Sequence, residues 1–262
     1  MELMSELLIE DRGPVRVLTM NRPPANTLTL DFLDVLRRAI EAAEADPAVR
    51  AIVLASALPK YFSAGLDLDQ MLSLPEEQRP ALFERMIGVH RRLAASPKPA
   101  VAAIGGAALL GGLIVSLGCD VRIIGAEQGK VALSEIRLGL SPTTALIRQA
   151  AVLTGRPGLV KELVLEGRTL RAQEAFEAGL VDRLVPGAEV LEEAVQQADH
   201  LGRSAPRAYA AVKRALREAV LPDEEALWTK ALAELNDLIS SPDGKEGLRA
   251  MEEKRKPRWQ TT

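Results

Sequence analysis

Cysteine is all but missing from this chain, and histidine and aromatic residues are scarce. A single cysteine, Cys119, excludes an internal disulfide and a zinc site built from several thiolates. Two histidines, His90 and His200, leave few routes to a catalytic triad or a His-rich metal site. Aromatics amount to 3%, so the core must be built from Leu, Val, Ile and Ala. Charge of either sign is not in excess: 33 basic against 36 acidic residues gives −3, too little to draw nucleic acid or an anionic membrane through net charge. What is present is a 47% hydrophobic, 26% charged chain of 262 residues, the composition of one large or two small packed domains. Residues Met1 to Arg12 mix Glu, Asp and Leu without a basic segment leading into an apolar one, so they do not read as a secretory signal. The closing Gln260-Thr261-Thr262 is not a peroxisomal address. A reduced, intracellular, soluble protein is expected.

From Pro99 to Cys119 no charge occurs, long enough to raise a membrane helix. Gly105, Gly106, Gly111, Gly112 and Gly118 interrupt it, so it reads as a buried strand (Ala100 to Ile104), a glycine turn and a short buried helix from about Gly112 to Gly118. The preceding chain alternates in the same way. Val15 to Met20 is strand-like, Thr29 caps a helix with Leu33, Leu36 and Ile40 on one face, and Asp46-Pro47 ends it. Ala51 to Ala55 is a buried strand, Ala81 to Ala94 a helix, and Val121 to Ile124 and Val131 to Leu133 are further strands. Such alternation is an α/β layer fold. Beyond Leu191 the apolar spacing is helical throughout, with Pro206, Pro222 and Pro242 near helix starts. Residues 1–190 are thus expected to form the α/β core with the site, and 191–262 a helical region for oligomer contacts.

Neither a P-loop nor a G-x-G-x-x-G turn is present. His90, among Arg91 and Arg92 in a helix, is expected at the surface, and Cys119 is expected to be a small core residue. Two glycine turns are more informative: Tyr61 to Leu68 and Gly105 to Gly112, each after a strand and before a helix. Such turns leave backbone N–H groups unpaired at a helix start. On neighbouring strands they aim two donors at one oxygen, an oxyanion hole, unless they are merely tight turns.

Phe62-Ser63-Ala64-Gly65-Leu66-Asp67-Leu68 and Gly106-x4-Gly111-Gly112-x6-Cys119-Asp120 resemble the two signature segments of the crotonase (enoyl-CoA hydratase/isomerase) superfamily. Asn21-Arg22-Pro23 with Asn26, Glu174-Ala175-x3-Gly179-Leu180-Val181 and Glu253-Lys254-Arg255-Lys256-Pro257 extend the resemblance over nearly the whole chain. It implies a crotonase-like spiral of strand–strand–helix repeats with a C-terminal helical region, assembled as homotrimers or pairs of trimers. It also implies an acyl-CoA thioester substrate and a stabilised enolate, with the N–H groups of Leu66 and Gly111 as oxyanion donors. Hydratases of this superfamily use two glutamates; here the first position is Ile114 and the second Glu135. Ile114 can neither orient nor deprotonate water. A lone carboxylate suffices to move a double bond, and the delta-3, delta-2-enoyl-CoA isomerase subgroup is similar in both positions. The resemblance therefore implies Glu135 as a proton shuttle in an apolar pocket that raises its pKa.

For the CoA moiety it implies backbone contacts from Ser63, Ala64, Gly65, Leu66, Asp67, Leu68 and Gly111. Lys60, and Lys254 or Lys256 of a neighbouring subunit, are candidates for the ribose phosphate, although a solvated basic cluster explains the last two equally well. No cofactor beyond the substrate's own CoA and no metal is expected, nor a nucleic-acid or membrane partner. The expected location is the bacterial cytoplasm, or the mitochondrial matrix for a processed eukaryotic chain. Open alternatives are a hydratase or another crotonase-type reaction, and a non-catalytic acyl-CoA- or RNA-binding scaffold.

Overall fold

The computed structural model describes residues 6–260; Met1 and the rest of the first five residues, and Thr261 and Thr262, lie outside the described residues. The order of elements follows from runs of small and branched apolar residues that can be buried on both faces of a sheet. Strands β1 (Leu7–Arg12), β2 (Val15–Met20), β3 (Ala51–Ser56), β5 (Ala100–Ile104), β7 (Val121–Gly125) and β10 (Arg183–Val185) form a six-stranded sheet in the order β1-β2-β3-β5-β7-β10. All pairs are parallel except β1 with β2. Short strands β4 (Tyr61–Ser63), β6 (Ala107–Leu109), β8 (Lys130–Ala132) and β9 (Thr169–Arg171) form a second sheet in the order β4-β6-β8-β9. Each of β3, β5 and β7 runs directly into β4, β6 and β8, so the chain climbs in strand–strand–helix turns and aligns successive loops at one edge.

The two faces of β3 show why its sequence is apolar throughout. Ala51, Val53 and Ala55 pack with Val15, Val17 and Val101 beneath helix α8 (Val190–Gly202), which supplies Val190, Ala194 and Ala198. Ile52 and Leu54 face the larger core with Phe32, Leu33, Leu36 and Ile40 of α1 (Leu30–Ala45). Thr29 caps α1 as expected, its side chain accepting from the Phe32 N–H, and Asp46 ends it. Helices α2 (Leu68–Ser73) and α3 (Pro80–Ala95) follow β4, and α4 (Gly111–Leu117) follows β6. A 3-10 turn (Glu135–Leu138) and helices α5 (Thr144–Thr154), α6 (Pro157–Leu165) and α7 (Ala172–Glu177) complete the body.

After α8 come α9 (Pro206–Val220), α10 (Glu224–Ser240) and α11 (Pro242–Glu252). Helix α10 lies against α3 and α5, while α11 packs on the 3-10 turn and α2. Among the described residues no helix is long and apolar enough to cross a membrane.

Three expectations need correction. The N-terminal segment, read only as lacking a signal, contributes edge strand β1. The two glycine turns are not simple turns, because each contains a three-residue strand of the second sheet. Gly106 is glycine for that reason: a Cβ there would stand 2.5 Å from the Tyr61 nitrogen on the neighbouring strand. His90 is not at the surface. It is 1% exposed, its ring edge-on to Trp228 at 5.4 Å, and the Ile114 carbonyl accepts from its Nδ1 at 2.8 Å. Burial lowers its pKa to about 4, so it is a neutral strut beneath α4. Cys119 is buried as expected, and burial pushes its thiol up to about 12, far from nucleophilic.

Candidate active site

Asn26 organises the first loop. Its side-chain amide donates to the Phe62 carbonyl (3.0 Å) and Ser56 Oγ (2.8 Å), and its Oδ1 accepts from the Arg22 N–H at 2.7 Å. Ser63 Oγ donates to the Asn26 carbonyl at 2.7 Å and accepts from the Gly65 N–H at 3.2 Å. The Leu28 N–H donates to the Gly65 carbonyl (2.8 Å) and the Asp67 N–H to the Leu28 carbonyl (3.0 Å). These bonds consume the amides on either side of Leu66 and leave its own N–H over.

Asp67 is fully engaged. Oδ1 caps α2 by accepting from the Gln70 N–H (2.9 Å), and Oδ2 accepts from Thr27 (2.7 Å) and Arg22 (2.9 Å). Burial pushes the Asp67 carboxyl up, but the bonds from Gln70, Thr27 and Arg22 outweigh it and hold it below the usual range.

Gly111 opens α4, where an N–H has no partner inside the helix. Gly65 adopts φ +95°, a conformation that side chains resist. A Cβ on Gly65 would lie 2.9 Å from the Gly111 nitrogen, and one on Gly111 would lie 3.3 Å from the Leu66 nitrogen. The two glycines therefore bring the Leu66 and Gly111 amides side by side. Among the described residues neither amide donates to a protein acceptor. Two adjacent, unspent N–H donors form a fixed site for a developing negative charge.

Leu66 and Gly111 both line a cavity of about 70 Å³, whose walls include Met71, Phe83, Met86, Ile114, Leu146, Leu235 and Leu248. Glu135 lines the same cavity from the 3-10 turn; it is 6% exposed, and among the described residues neither carboxyl oxygen has a hydrogen-bond partner. Burial raises its pKa to about 8. Glu135 and Asp67 are the titratable residues of the wall, and Asp67 is committed to Arg22. Among the described residues, Glu135 is thus the one carboxyl there free to exchange a proton with a bound molecule.

Of the sequence-derived site residues, Ala64, Leu66, Asp67, Leu68, Gly111 and Glu135 meet at this cavity. Ser63 and Gly65 stand behind it as supports. Lys60 is exposed, and its carbonyl accepts from the Ala107 N–H at 2.9 Å. Lys254 and Lys256 are exposed and do not line the cavity. Arg255, between them, is tied to Glu246 and lines an adjoining groove with Arg137 and Pro257. Thr143, Leu235, Leu248 and Met251 also line the cavity and were not singled out from sequence. The helical spacing that contained Leu235 carried a signal of burial but not of what would be buried against it.

The sequence profile described as Enoyl-CoA hydratase/isomerase matches residues 10–262. The chain belongs to the enoyl-CoA hydratase/isomerase (crotonase) family. It is 33% identical to enoyl-CoA hydratase EchA19 of Mycobacterium tuberculosis, over 97% of this chain and 96% of that protein. It is equally 33% identical to 2,3-dehydroadipyl-CoA hydratase of Escherichia coli, over 97% of this chain and 98% of the relative. Among solved structures, human mitochondrial delta3-delta2-enoyl-CoA isomerase superposes with a TM-score of 0.88 at 26% identity, covering 95% of this chain and 97% of that one. The crotonase family accounts for the strand–strand–helix spiral and for an enzyme acting on acyl-CoA thioesters.

Proposed function

We propose that this crotonase is a delta-3, delta-2-enoyl-CoA isomerase of unsaturated fatty acid β-oxidation, working in the cytoplasm. The observation that carries the reading is the single uncommitted carboxylate: Glu135 shares its cavity with apolar Ile114 and an Asp67 bound to Arg22. The ionised Glu135 removes a proton from C2 of a 3-enoyl thioester, and the electron pair moves onto the carbonyl oxygen. The Leu66 and Gly111 N–H groups hold that oxyanion, each donor of this kind being worth ~10²–10³ in rate. The protonated Glu135 returns the proton at C4 as the double bond closes between C2 and C3. No atom is gained or lost.

Hydration is the second reading, favoured by the names of the relatives at 33% identity. It adds a hydroxyl at C3 and a proton at C2, and so needs a group to orient water. Ile114 offers none on the α4 side. Supplying 3-hexenoyl-CoA and 2-butenoyl-CoA separately distinguishes the two. Isomerisation of the first with little hydration of the second is expected; rapid hydration of 2-butenoyl-CoA overturns the proposal. Glu135→Gln is expected to lose at least ~10³-fold in kcat while binding acyl-CoA nearly as well, checked by calorimetry.

The apolar side chains that α9 leaves exposed, Val212 at 59% and Leu216 at 64%, support assembly into a trimer or a pair of trimers. Lys60, Lys254 and Lys256 remain candidates for the CoA phosphates, the last two from a neighbouring subunit.

A further inference from the structure

Thr143 breaks three local rules at once. It is a β-branched residue at φ +77°, where such side chains are rarely found. It occupies the N-cap of α5, yet its hydroxyl caps nothing. Its Oγ1 is buried, in a residue 3% exposed, with no hydrogen-bond partner among the described residues. The backbone is otherwise satisfied: its N–H donates to Ser141 Oγ (3.1 Å) and its carbonyl accepts from the Ile147 N–H (3.0 Å). A hydroxyl withheld from capping and sealed in an apolar cavity costs stability unless something else uses it.

The cavity in which it sits is that of Glu135, whose two carboxyl oxygens are also without partners. The chain between them is folded back, the Leu140 N–H donating to the Glu135 carbonyl at 3.1 Å. We propose that Thr143 is a positioning residue for Glu135: its hydroxyl donates, through one bridging water, to the carboxylate that accepts the substrate proton. The inference rests on Glu135 being the base of the proposed isomerisation. The physical need is plain, because a carboxylate in an apolar cavity resists ionisation until a donor meets it. Charged neighbours do not fill that role. Arg137, on the same turn, points outward to the Glu166 carbonyl (3.4 Å), α11 meets the cavity with Leu248 and Met251, and Asp67 is held by Arg22.

The test compares Thr143→Val, Thr143→Gly and Thr143→Ser. Valine removes the hydroxyl and keeps the shape. Glycine removes it from a backbone that glycine adopts without strain, so misfolding does not confound it. Infrared titration reads the Glu135 carboxyl directly, its band assigned by its loss in Glu135→Gln. In Thr143→Val and Thr143→Gly the midpoint is expected to rise by about one unit, with kcat for 3-hexenoyl-CoA at pH 7 falling about tenfold and KM within about twofold. Thr143→Ser is expected to restore most of both. An unmoved midpoint in the valine and glycine variants overturns the inference. A moved midpoint in a protein that does not turn over 3-enoyl-CoA upholds the pairing of Thr143 with Glu135 and sinks the isomerase reading instead.

Discussion

At Gly65 one methyl group decides between an open and a closed site. The residue sits at φ +95°, and an added Cβ would meet the Gly111 nitrogen at 2.9 Å. Gly65→Ala is therefore expected to lower stability by about 1–2 kcal/mol through backbone strain. It should also cut kcat/KM by ~10² or more by crowding one of the two amides. Urea denaturation and steady-state kinetics on the same preparation check both. At this scale Gly65 and Gly111 were legible from their turns, whereas Glu135 was singled out only through the family resemblance, since a loop carboxylate has no local mark of burial.

His90 and Thr143 were not legible. His90 shares the buried stripe of Met86 and Leu93, at spacings of four and three, but the adjacent Arg91 and Arg92 suggested water. Neighbours in a helix point in different directions, so a charged pair at i+1 and i+2 says little about residue i. For Thr143 no sequence signal exists, since threonine is an ordinary cap residue and its positive φ is imposed by the loop.

At the scale of elements, hydrophobic runs long enough to show a period were read correctly; of the three-residue strands, β8 was placed to within one residue as Val131 to Leu133, while β4, β6, β9 and β10 were missed. Strands β4 and β6 have no room for alternation and exist because they pair with each other and β6 pairs in turn with β8. Strand β1 exposes four of its six residues and is held by pairing with β2, again a partner rather than a pattern.

Helix α9 has a comparable tether. Its one buried side chain, Lys213, donates to Asp120 Oδ2 (2.8 Å) and to the Leu93 carbonyl (2.9 Å), joining α9 to the end of α3 and the loop after α4. Lys213→Ala leaves Asp120 without its cation and is expected to cost about 3 kcal/mol. Hydrogen exchange should quicken first along α9; uniform protection with unchanged stability would show that the tether carries nothing.

For the whole molecule, the cavity is a joint product of the α/β body and the terminal helices. Leu66, Gly111 and Glu135 come from the body, whereas Leu235 and Leu248 come from α10 and α11. Leu248→Ala is expected to cost about 2–4 kcal/mol as a core truncation and to widen the cavity beside α11. The preferred substrate should lengthen by one or two carbons, read from kcat/KM across a 3-enoyl-CoA series. An unchanged preference would mean that α11 closes the cavity without contacting the acyl chain.

Composition and periodicity by themselves determined an α/β chain with a helical C-terminal region, because burial of apolar residues depends on order along the sequence. The glycine-rich segments pointed to the crotonase family by resemblance, while Ile114 with Glu135 bore only on the choice of reaction within it. Only the tertiary structure decided that Asp67 is spent on Arg22, that Glu135 is sealed without a partner, and that Thr143 shares its cavity. Whether a polar group is free or occupied depends on what lies across space from it, and residues brought together from distant parts of the chain leave no local mark on each other.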